Sequence, residues 1–386
     1  MLVRTIFTVS ILIILDRLLK ALAVNYNGFF VIGNKEFGAS FGTVKNFGIA
    51  LSINLPLIIV ILFSAFILAY LSWMLYGRHK DMPKIQVIIF VLIIAGGLSN
   101  VFDRLIYGYV VDYWSIFLFE KSLAFNLADA MIVIAVLMFG AESLRKALMS
   151  KSLEIGQRIL SLNQAVYDKI AADFSQTREK PLWPEALGFK KYVKTGNRVL
   201  DIGCGSGRLL QLFDKIKVDY VGVDASQKLL EQAKSWNMKH ETWNKGSIKN
   251  FLKMNMIKLR FNDNSFDVIF MIASLNHLPA CYHQQALSEA FRVLKPGGHL
   301  LMTNFNLWRF SLKDKTVWKY KSFKNVMTNW NGHPLYYYAF TLRELKRKCK
   351  KAGFKIKTAY YAKDGRSAHF WNGRNIVVVG GKGIRN

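Results

Sequence analysis

"GGLSNVFDRLIYGYVVDYW", residues 96–114, follows an uncharged apolar run and carries two aspartates, Asp103 and Asp112; "FNLADAMIV" (125–133) soon adds a third, Asp129. An ionisable side chain at bilayer depth costs about 3 kcal/mol or more and is a functional hypothesis by default. These carboxylates therefore decide whether the first half of the chain is a plain anchor or a folded site within a membrane.

Four apolar segments precede residue 142, roughly Thr5–Val24, Leu51–Gly77, Ile85–Phe102 and Ser122–Gly140. Each is long enough to cross a hydrocarbon core of about 30 Å. The expectation is an all-α four-helix transmembrane bundle with a small extracytoplasmic segment over residues 1–145. Asp16, Arg17 and Lys20 stand where a cleaved leader would need small residues, so the first segment reads as a span. Basic residues at Arg4, in "GRHKDMPK" (77–84) and in "ESLRKALMSK" (142–151) fall on one side of such a bundle. That predicts a multi-pass protein with both termini cytoplasmic. Counted from these flanks at about 1.5 Å per residue, Asp16, Asp103 and Asp129 converge on the outer part of the membrane. Asn100/Asp103 and Asn126/Asp129 are i,i+3 pairs, so each amide is expected on the helix face of its carboxylate. Two convergent carboxylates suit acid–base activation of water, because one pKa rises and the pair holds a single proton. On the residues alone, a proton relay or structural polar contacts serve as well.

Five ordered blocks narrow the choice: "DRLLK" (16–20), "NFGIAL" (46–51), "GGLSNVFDR" (96–104), "GYVVDYW" (108–114) and "FNLADAMI" (125–132). In these the first half resembles lipoprotein signal peptidase, signal peptidase II. The resemblance implies an aspartic endopeptidase of the bacterial cell membrane that removes signal peptides from diacylglyceryl-modified prolipoproteins. It assigns the catalytic pair to Asp112 and Asp129, with support from Asp16, Lys20, Asn46, Asn100, Asp103, Arg104 and Asn126, and it implies no metal or cofactor. Arg17 stands where that family usually has Gln, and "ALS" (50–52) where it usually has "AFG".

At 386 residues the chain has room for two domains of ordinary size. Residues 1–150 hold 12 Lys/Arg against 8 Asp/Glu, so of a formal charge of +28 all but 4 lies beyond residue 150. Such an excess suits a polyanionic partner, nucleic acid or an anionic leaflet; a merely solubilising basic surface is the plainer alternative. The three cysteines, Cys204, Cys281 and Cys349, have no paired spacing, which argues against a disulfide framework or a zinc site.

From Ser152 onward the lipid-like character ends. Ile155, Ile159, Leu162, Val166 and Ile170 recur at helical spacing. "RVLDIGCGSGRLLQLF" (198–213) reads as a strand, a glycine turn and a helix, where bare backbone approaches a ligand. The dinucleotide fingerprint would need Gly or Ala at 208, which is Arg. "YVGVDAS" (220–226) ends a second strand on Asp224, well placed for ribose hydroxyls. With "SFDVIFMIAS" (265–274), "EAFRVLKPGG" (289–298) and "HLLMTNF" (299–305), the alternation predicts a parallel α/β sheet.

This series resembles class I S-adenosylmethionine-dependent methyltransferases of Rossmann-like α/β fold. The resemblance implies cofactor binding by Asp201, Gly203, Gly205, Gly207 and Asp224; Ser247 takes the slot where an acidic residue often meets the adenine. Residues 167–186, "YDKIAADFSQTREKPLWPEA", are similar to a segment of the tRNA methyltransferases that esterify a carboxymethyl group on wobble uridine. A carboxylate is already a nucleophile, so such a site needs alignment and a cation rather than a strong base. Arg178 is the candidate clamp, and His277 in "SLNHLP" a candidate to orient the acceptor or an ordinary loop histidine. "FSLKDKTVWKYKSFKN" (310–325) and "LRELKRKCKKAGFKIK" (342–357) interleave bases with aromatics, as an RNA surface would. The expected layout is a peptidase-like domain over 1–145, a helical linker over 146–165 and a methyltransferase domain over 166–386. A membrane-anchored methyltransferase of lipid or quinone, its peptidase half idle, is the alternative.

Overall fold

The structure, a computed structural model, describes residues 2–25, 30–33, 37–48, 56–119, 121–239, 248–308 and 324–384. "ALS" (50–52), Ser247 and residues 310–323 lie outside them. The chain divides into two units, Met1–Met149 and Ser150–Asn386.

In the first unit α1 (Leu2–Asn25) leads to β1 (Phe30–Gly33) and β2 (Phe37–Asn46), then to α2 (Leu57–Arg78) and α3 (Lys84–Tyr107). β3 (Val110–Leu118), β4 (Lys121–Phe125) and α4 (Leu127–Gln176) follow. Pro56 and Pro83 stand at the N-caps of α2 and α3, where a missing N–H costs nothing. Gly108 ends α3 in the left-handed conformation, φ 76°, with its N–H on Arg104 O. A side chain would be strained there, and the turn sends the chain straight into the strand that carries Asp112.

The all-α expectation is corrected by these strands. β1, β2, β3 and β4 form an antiparallel sheet in that order, with Phe41 opposite Trp114 and Val44 opposite Asp112. Residues 110–118 are rich in aromatic and β-branched side chains, Val110, Val111, Tyr113, Trp114, Ile116 and Phe117, which favour a pleated surface although they show no strict alternation. The fourth segment is likewise not one span from Ser122. Lys121–Phe125 is strand, and the helix starts only at Leu127.

Among the described residues three helices, α2, α3 and α4, are long and apolar enough to cross a membrane. α1 carries Arg4, Asp16, Arg17 and Lys20 and is not among them, although four spans were expected. Arg4 is exposed, whereas Asp16 and Lys20 are buried and Arg17 and Lys20 both pair with Asp103 of α3. Along α2 only Leu68 and Leu75 are buried, so nearly its whole apolar surface faces outward. The glycine pair of α3 sets the helix spacing. A Cβ on Gly96 would come within 2.5 Å of Ala128 O on α4, and one on Gly97 within 2.6 Å of the Leu68 side chain. Small residues let helices approach where lipid offers no hydrophobic drive.

The second unit begins within α4, which covers all of 146–165; Val166 and Ile170 pack on Leu335, while Ile155 is exposed. After α5 (Pro184–Leu187) come β5 (Arg198–Ile202), β6 (Asp219–Asp224), α6 (Gln227–Lys239), β7 (Ile248–Lys253) and β8 (Phe266–Ile272). Next are α7 (His283–Val293), β9 (Leu294–Phe305), β10 (Asn325–Trp330), β11 (His333–Tyr338) and α8 (Leu342–Lys351). β12 (Lys355–Lys363), β13 (Arg366–Ala368) and β14 (Asn375–Gly381) complete it. Eight strands form one sheet in the order β13-β12-β14-β9-β8-β5-β6-β7. The core pairs are parallel, as expected, but β14 runs antiparallel to both β9 and β12. It returns from the β12–β13 hairpin without a crossover helix, so it must reverse direction. Buried aliphatic layers cover both faces of the sheet, as a Rossmann-like α/β fold requires. In α8, Leu342, Leu345 and Cys349 face that core, and Arg343, Arg347 and Lys350 face water.

Candidate active sites

In the first unit the site forms where β3 meets the start of α4. Asn126 is the cap residue of α4, and its Oδ1 accepts the N–H of Asp129 at 2.9 Å. Asp129 returns the bond, Oδ2 accepting the Asn126 N–H at 3.3 Å. This is a reciprocal capping box, with an aspartate at its third helical position. The sequence pair Asn126/Asp129 is therefore a helix start rather than a shared helix face, because Asn126 precedes the helix. The other orphan N–H groups of the first turn are also satisfied: Leu127 N–H donates to the Tyr113 hydroxyl at 2.9 Å and Ala128 N–H to Asp16 at 3.2 Å.

The Asn126 amide points the other way and donates to Asp112 Oδ1 at 2.8 Å. Asp112 Oδ2 accepts from Asn46 on β2 at 2.9 Å, and Asp129 Oδ1 accepts from Asn100 on α3 at 2.7 Å. Both aspartates are thus held by neutral donors. Asp112 is fully buried, and burial raises its carboxyl well above the usual carboxylate range. The Asn46 and Asn126 hydrogen bonds pull it back and the neighbouring Asp129 pushes it further up.

Behind this pair lies a charged layer. Lys20 Nζ sits 2.8 Å from Asp16, 2.8 Å from Asp103 and 3.1 Å from Asn100 Oδ1. Asp103 also accepts the Val111 N–H at 3.1 Å, one residue before Asp112, and so pins the strand. Arg104 donates to Gly48 O at 3.0 Å and thereby ties α3 to the loop after β2. All nine residues named from the sequence fall in this one network. Sequence reasoning missed Ser99 and Tyr113, which both bond Asp16. Tyr113 adjoins Asp112, yet nothing in its spacing distinguishes it from a packing aromatic.

In the second unit a cavity of about 690 Å³ opens at the carboxyl ends of β5, β6, β8 and β9. Asp201, Gly203, Gly205, Asp224, Arg178 and His277 line it, whereas Gly207, also named from the sequence, is not on its wall and caps the turn that follows, packed on Ala233 and Phe251. Gly203, Gly205 and Gly207 have φ of 78°, 54° and 79°, so the turn is built from left-handed backbone that side chains disfavour. A Cβ on Gly203 would lie 2.5 Å from Ser274 Cβ. The helix expected after this turn is 3₁₀, Arg208–Phe213. Asp224 Oδ2 accepts the Gly205 N–H at 2.9 Å and Oδ1 the Ser226 N–H at 2.9 Å, which fixes the carboxylate across the turn. Asp201 accepts from the Tyr220 hydroxyl at 2.8 Å; burial pushes it up to about 7, the Tyr220 bond opposing and Asp224 adding. A bare-backbone turn beside a fixed acceptor fits a ligand with ribose hydroxyls.

Arg178 is held against aromatic faces, its guanidinium carbon 4.5 Å from the Phe174 ring and 5.9 Å from that of Trp330. Stacking uses the faces of the guanidinium and leaves its N–H fork in plane for an anion. His277 is held on both ring nitrogens. Nδ1 donates to Tyr336 O at 3.3 Å, so Nε2 of the neutral ring accepts the Tyr167 hydroxyl at 3.0 Å. Burial pulls His277 down to about 4, with the Tyr336 contact opposing. The residue in its direct grip is Tyr167, a cavity-lining side chain that sequence reasoning did not single out.

Comparisons with known proteins divide at the same place. The family model for signal peptidase (SPase) II matches residues 8–145, and that for a methyltransferase domain matches residues 200–302. An uncharacterised methyltransferase of Schizosaccharomyces pombe is 40% identical over 28% of this chain and 40% of its own length. The tRNA (carboxymethyluridine(34)-5-O)-methyltransferase of Mus musculus is 30% identical over 41% of this chain and 22% of its own. Its Arabidopsis thaliana counterpart is 32% identical over 39% of this chain and 34% of its own. The chain thus spans well under half the length of these three relatives. Among solved structures, a SAM-dependent methyltransferase of Methanosarcina mazei aligns with TM-score 0.44 and 24% identity over 53% of this chain and 100% of that one. The signal peptidase II model thus accounts for residues 8–145 and the methyltransferase model for residues 200–302, so the chain combines a domain matching the signal peptidase II model with one matching the methyltransferase model.

Proposed function

We propose that the chain is a bifunctional membrane enzyme: a peptidase of diacylglyceryl prolipoproteins, and an S-adenosylmethionine-dependent methyltransferase of tRNA wobble carboxymethyluridine. The observation that carries the first activity is Asn126, which bonds Asp112 while capping the helix through Asp129. The two carboxyls hold one proton between them. The ionised member takes a proton from water, whose oxygen adds to the scissile carbonyl. The protonated member then gives its proton to the departing amine, and the pair exchanges states. Asn46, Asn100 and Asn126 keep both side chains aimed, and the Lys20 layer fixes the strand and helix that carry them. α1 acts as a fourth span once Asp16, Arg17 and Lys20 are paired inside the bundle. Four spans put both termini in the cytosol and the peptidase site toward the outer face, in the bacterial cell membrane.

For the second activity, S-adenosylmethionine supplies an electrophilic methyl group when bound. The glycine turn and Asp224 hold its ribose side, and Arg178 holds the acceptor carboxylate against the donor. Tyr167, fixed by neutral His277, would form part of the cavity wall. Support comes from the stacked Arg178 on the cavity wall and from the likeness of 167–186 to the tRNA enzymes.

Complementation of bacteria depleted of their own signal peptidase II tests the peptidase. Prolipoprotein processing should return with the wild type and vanish with Asp112→Asn and Asp129→Asn; processing by either mutant sinks the pair. For the methyltransferase, Arg178→Ala should lose at least tenfold in transfer to carboxymethyluridine RNA while binding S-adenosylmethionine normally. Unchanged transfer would sink the clamp.

A further inference from the structure

The turn between β13 and β14 carries the exposed tryptophan Trp371 beside the cavity. Trp371 is 69% exposed, in a unit whose other large aromatics are mostly packed. Its turn is nevertheless rigid. The side-chain amide of Asn306, itself fully buried, donates to Phe370 O at 2.7 Å and to Gly373 O at 2.9 Å. Gly373 N–H closes the turn on His369 O at 2.8 Å, and a Cβ at Gly373 would strike Tyr361 Cβ at 2.8 Å. Phe370 anchors the turn from below against Tyr361, ring centroids 5.5 Å apart, and packs edge-on to Trp371 at 4.7 Å.

The same turn leads directly into the cavity wall, which Arg374 and Asn375 line. Lys363, Arg366, His369 and Arg374, all exposed, belong to the β12–β13 hairpin and the turn that carries Trp371; Asp364, the one acid between 363 and 374, is paired with Arg374 at 3.3 Å. A rigidly mounted, outward-facing indole with cations beside it matches what a single-stranded nucleic acid requires. A base stacks on the ring while phosphates meet the cations of the hairpin. Rigidity matters because a preordered platform loses no further conformational entropy on binding.

We propose that Trp371 is the stacking platform for a nucleobase flanking the one that enters the cavity. This rests on the reading of the substrate as RNA. Being held by buried Asn306 and by Phe370, the platform sits at a fixed offset from the cavity wall, so it selects acceptors presented in a strand over the free nucleoside.

The test uses the full-length protein in detergent with a labelled anticodon stem-loop bearing carboxymethyluridine at the wobble position. A twin RNA is abasic at both nucleotides flanking that uridine. Trp371→Ala should bind the intact RNA about tenfold more weakly than wild type and the abasic twin equally well, whereas Trp371→Phe retains most of the affinity. Equal binding of the intact RNA by wild type and Trp371→Ala overturns the proposal, and so does equal weakening on both RNAs. Methyl transfer to the intact RNA is measured in parallel. If the wild type transfers nothing yet its RNA binding depends on Trp371, the platform stands and the assignment of the acceptor falls. If the wild type binds neither RNA, both fall.

Discussion

Asn126 reaches both aspartates because it stands between a strand and a helix, where its Oδ1 is taken up by the helix start and its amide is left for Asp112. A residue placed on the helix itself would have had one face and one partner. The double role also dictates the residue type, since Asp would bring a third carboxylate and Ser would lack the second donor. The glycine turn of the second unit is the comparable case at the other site, and there the requirement is for no side chain. Gly203→Ala would combine a positive φ with a Cβ 2.5 Å from Ser274 Cβ. Left-handed backbone alone costs about 1–2 kcal/mol for a residue with a Cβ, and the overlap must move β5 or the Ser274 turn as well. Gly205→Ala, φ 54°, meets nothing nearer than Phe174 at 3.6 Å and carries the backbone cost alone. Calorimetric titration should find S-adenosylmethionine binding lost at least tenfold in Gly203→Ala. Thermal melting should show Gly205→Ala as the less destabilised of the two; the reverse order would show that the contact with Ser274 relaxes freely.

Helix α7 begins at His283, which is fully buried between Tyr338 and Phe340, ring centroids 4.5 and 4.6 Å away. Its Nε2 donates to Leu278 O at 2.7 Å, and burial pulls the imidazole down to about 3. The folded chain therefore prefers the neutral ring. With a folded pKa below the ordinary 6.5, the stability it contributes is complete above pH 6.5 and is lost as pH falls below that value. At pH 5 the loss amounts to about 2 kcal/mol relative to pH 7. Asp201 works in the opposite sense, its carboxyl being raised, so the test compares variants rather than a single curve. His283→Gln keeps a donor without the titration. Its melting temperature should fall less between pH 7 and pH 5 than that of the wild type, and parallel curves would contradict the assignment. At this scale the limits of sequence reading also become plain. Helices α1 to α4 and strands β5, β6, β8 and β9 were legible because each is a long apolar or alternating run. The sheet β1–β4 was not, since its partners lie as far apart as Val44 and Asp112 and a strand-favouring composition does not say which segments pair. In the first unit the cost of charge in lipid singled out the aspartates, and the resemblance of the ordered blocks supplied the rest of the set. The geometry of that set was not legible, and neither were the roles of Tyr113 and Tyr167, whose hydroxyls gain partners only by tertiary folding.

Charge divides the whole molecule more sharply than length does, with the net positive charge of +28 concentrated beyond residue 150. The two units also keep separate cores: clusters around Leu75, Val91, Ala95 and Met131 in the first, and around Leu200, Phe270, Leu300 and Val378 in the second. A peptide substrate that reaches its site through lipid gains little from long-range attraction, whereas an RNA releases counterions for every phosphate neutralised. Salt should therefore act on one activity and spare the other. Between about 50 and 200 mM salt, an RNA making several phosphate contacts loses well over tenfold in affinity. For the full-length protein, KM for carboxymethyluridine RNA should rise by at least that factor while prolipoprotein cleavage in the same detergent stays within twofold. In parallel, Asp112→Asn should leave methyl transfer intact and Gly203→Ala should leave cleavage intact. A salt response shared by both activities, or loss of one activity through a mutation in the other unit, would mean that the halves are coupled rather than simply joined.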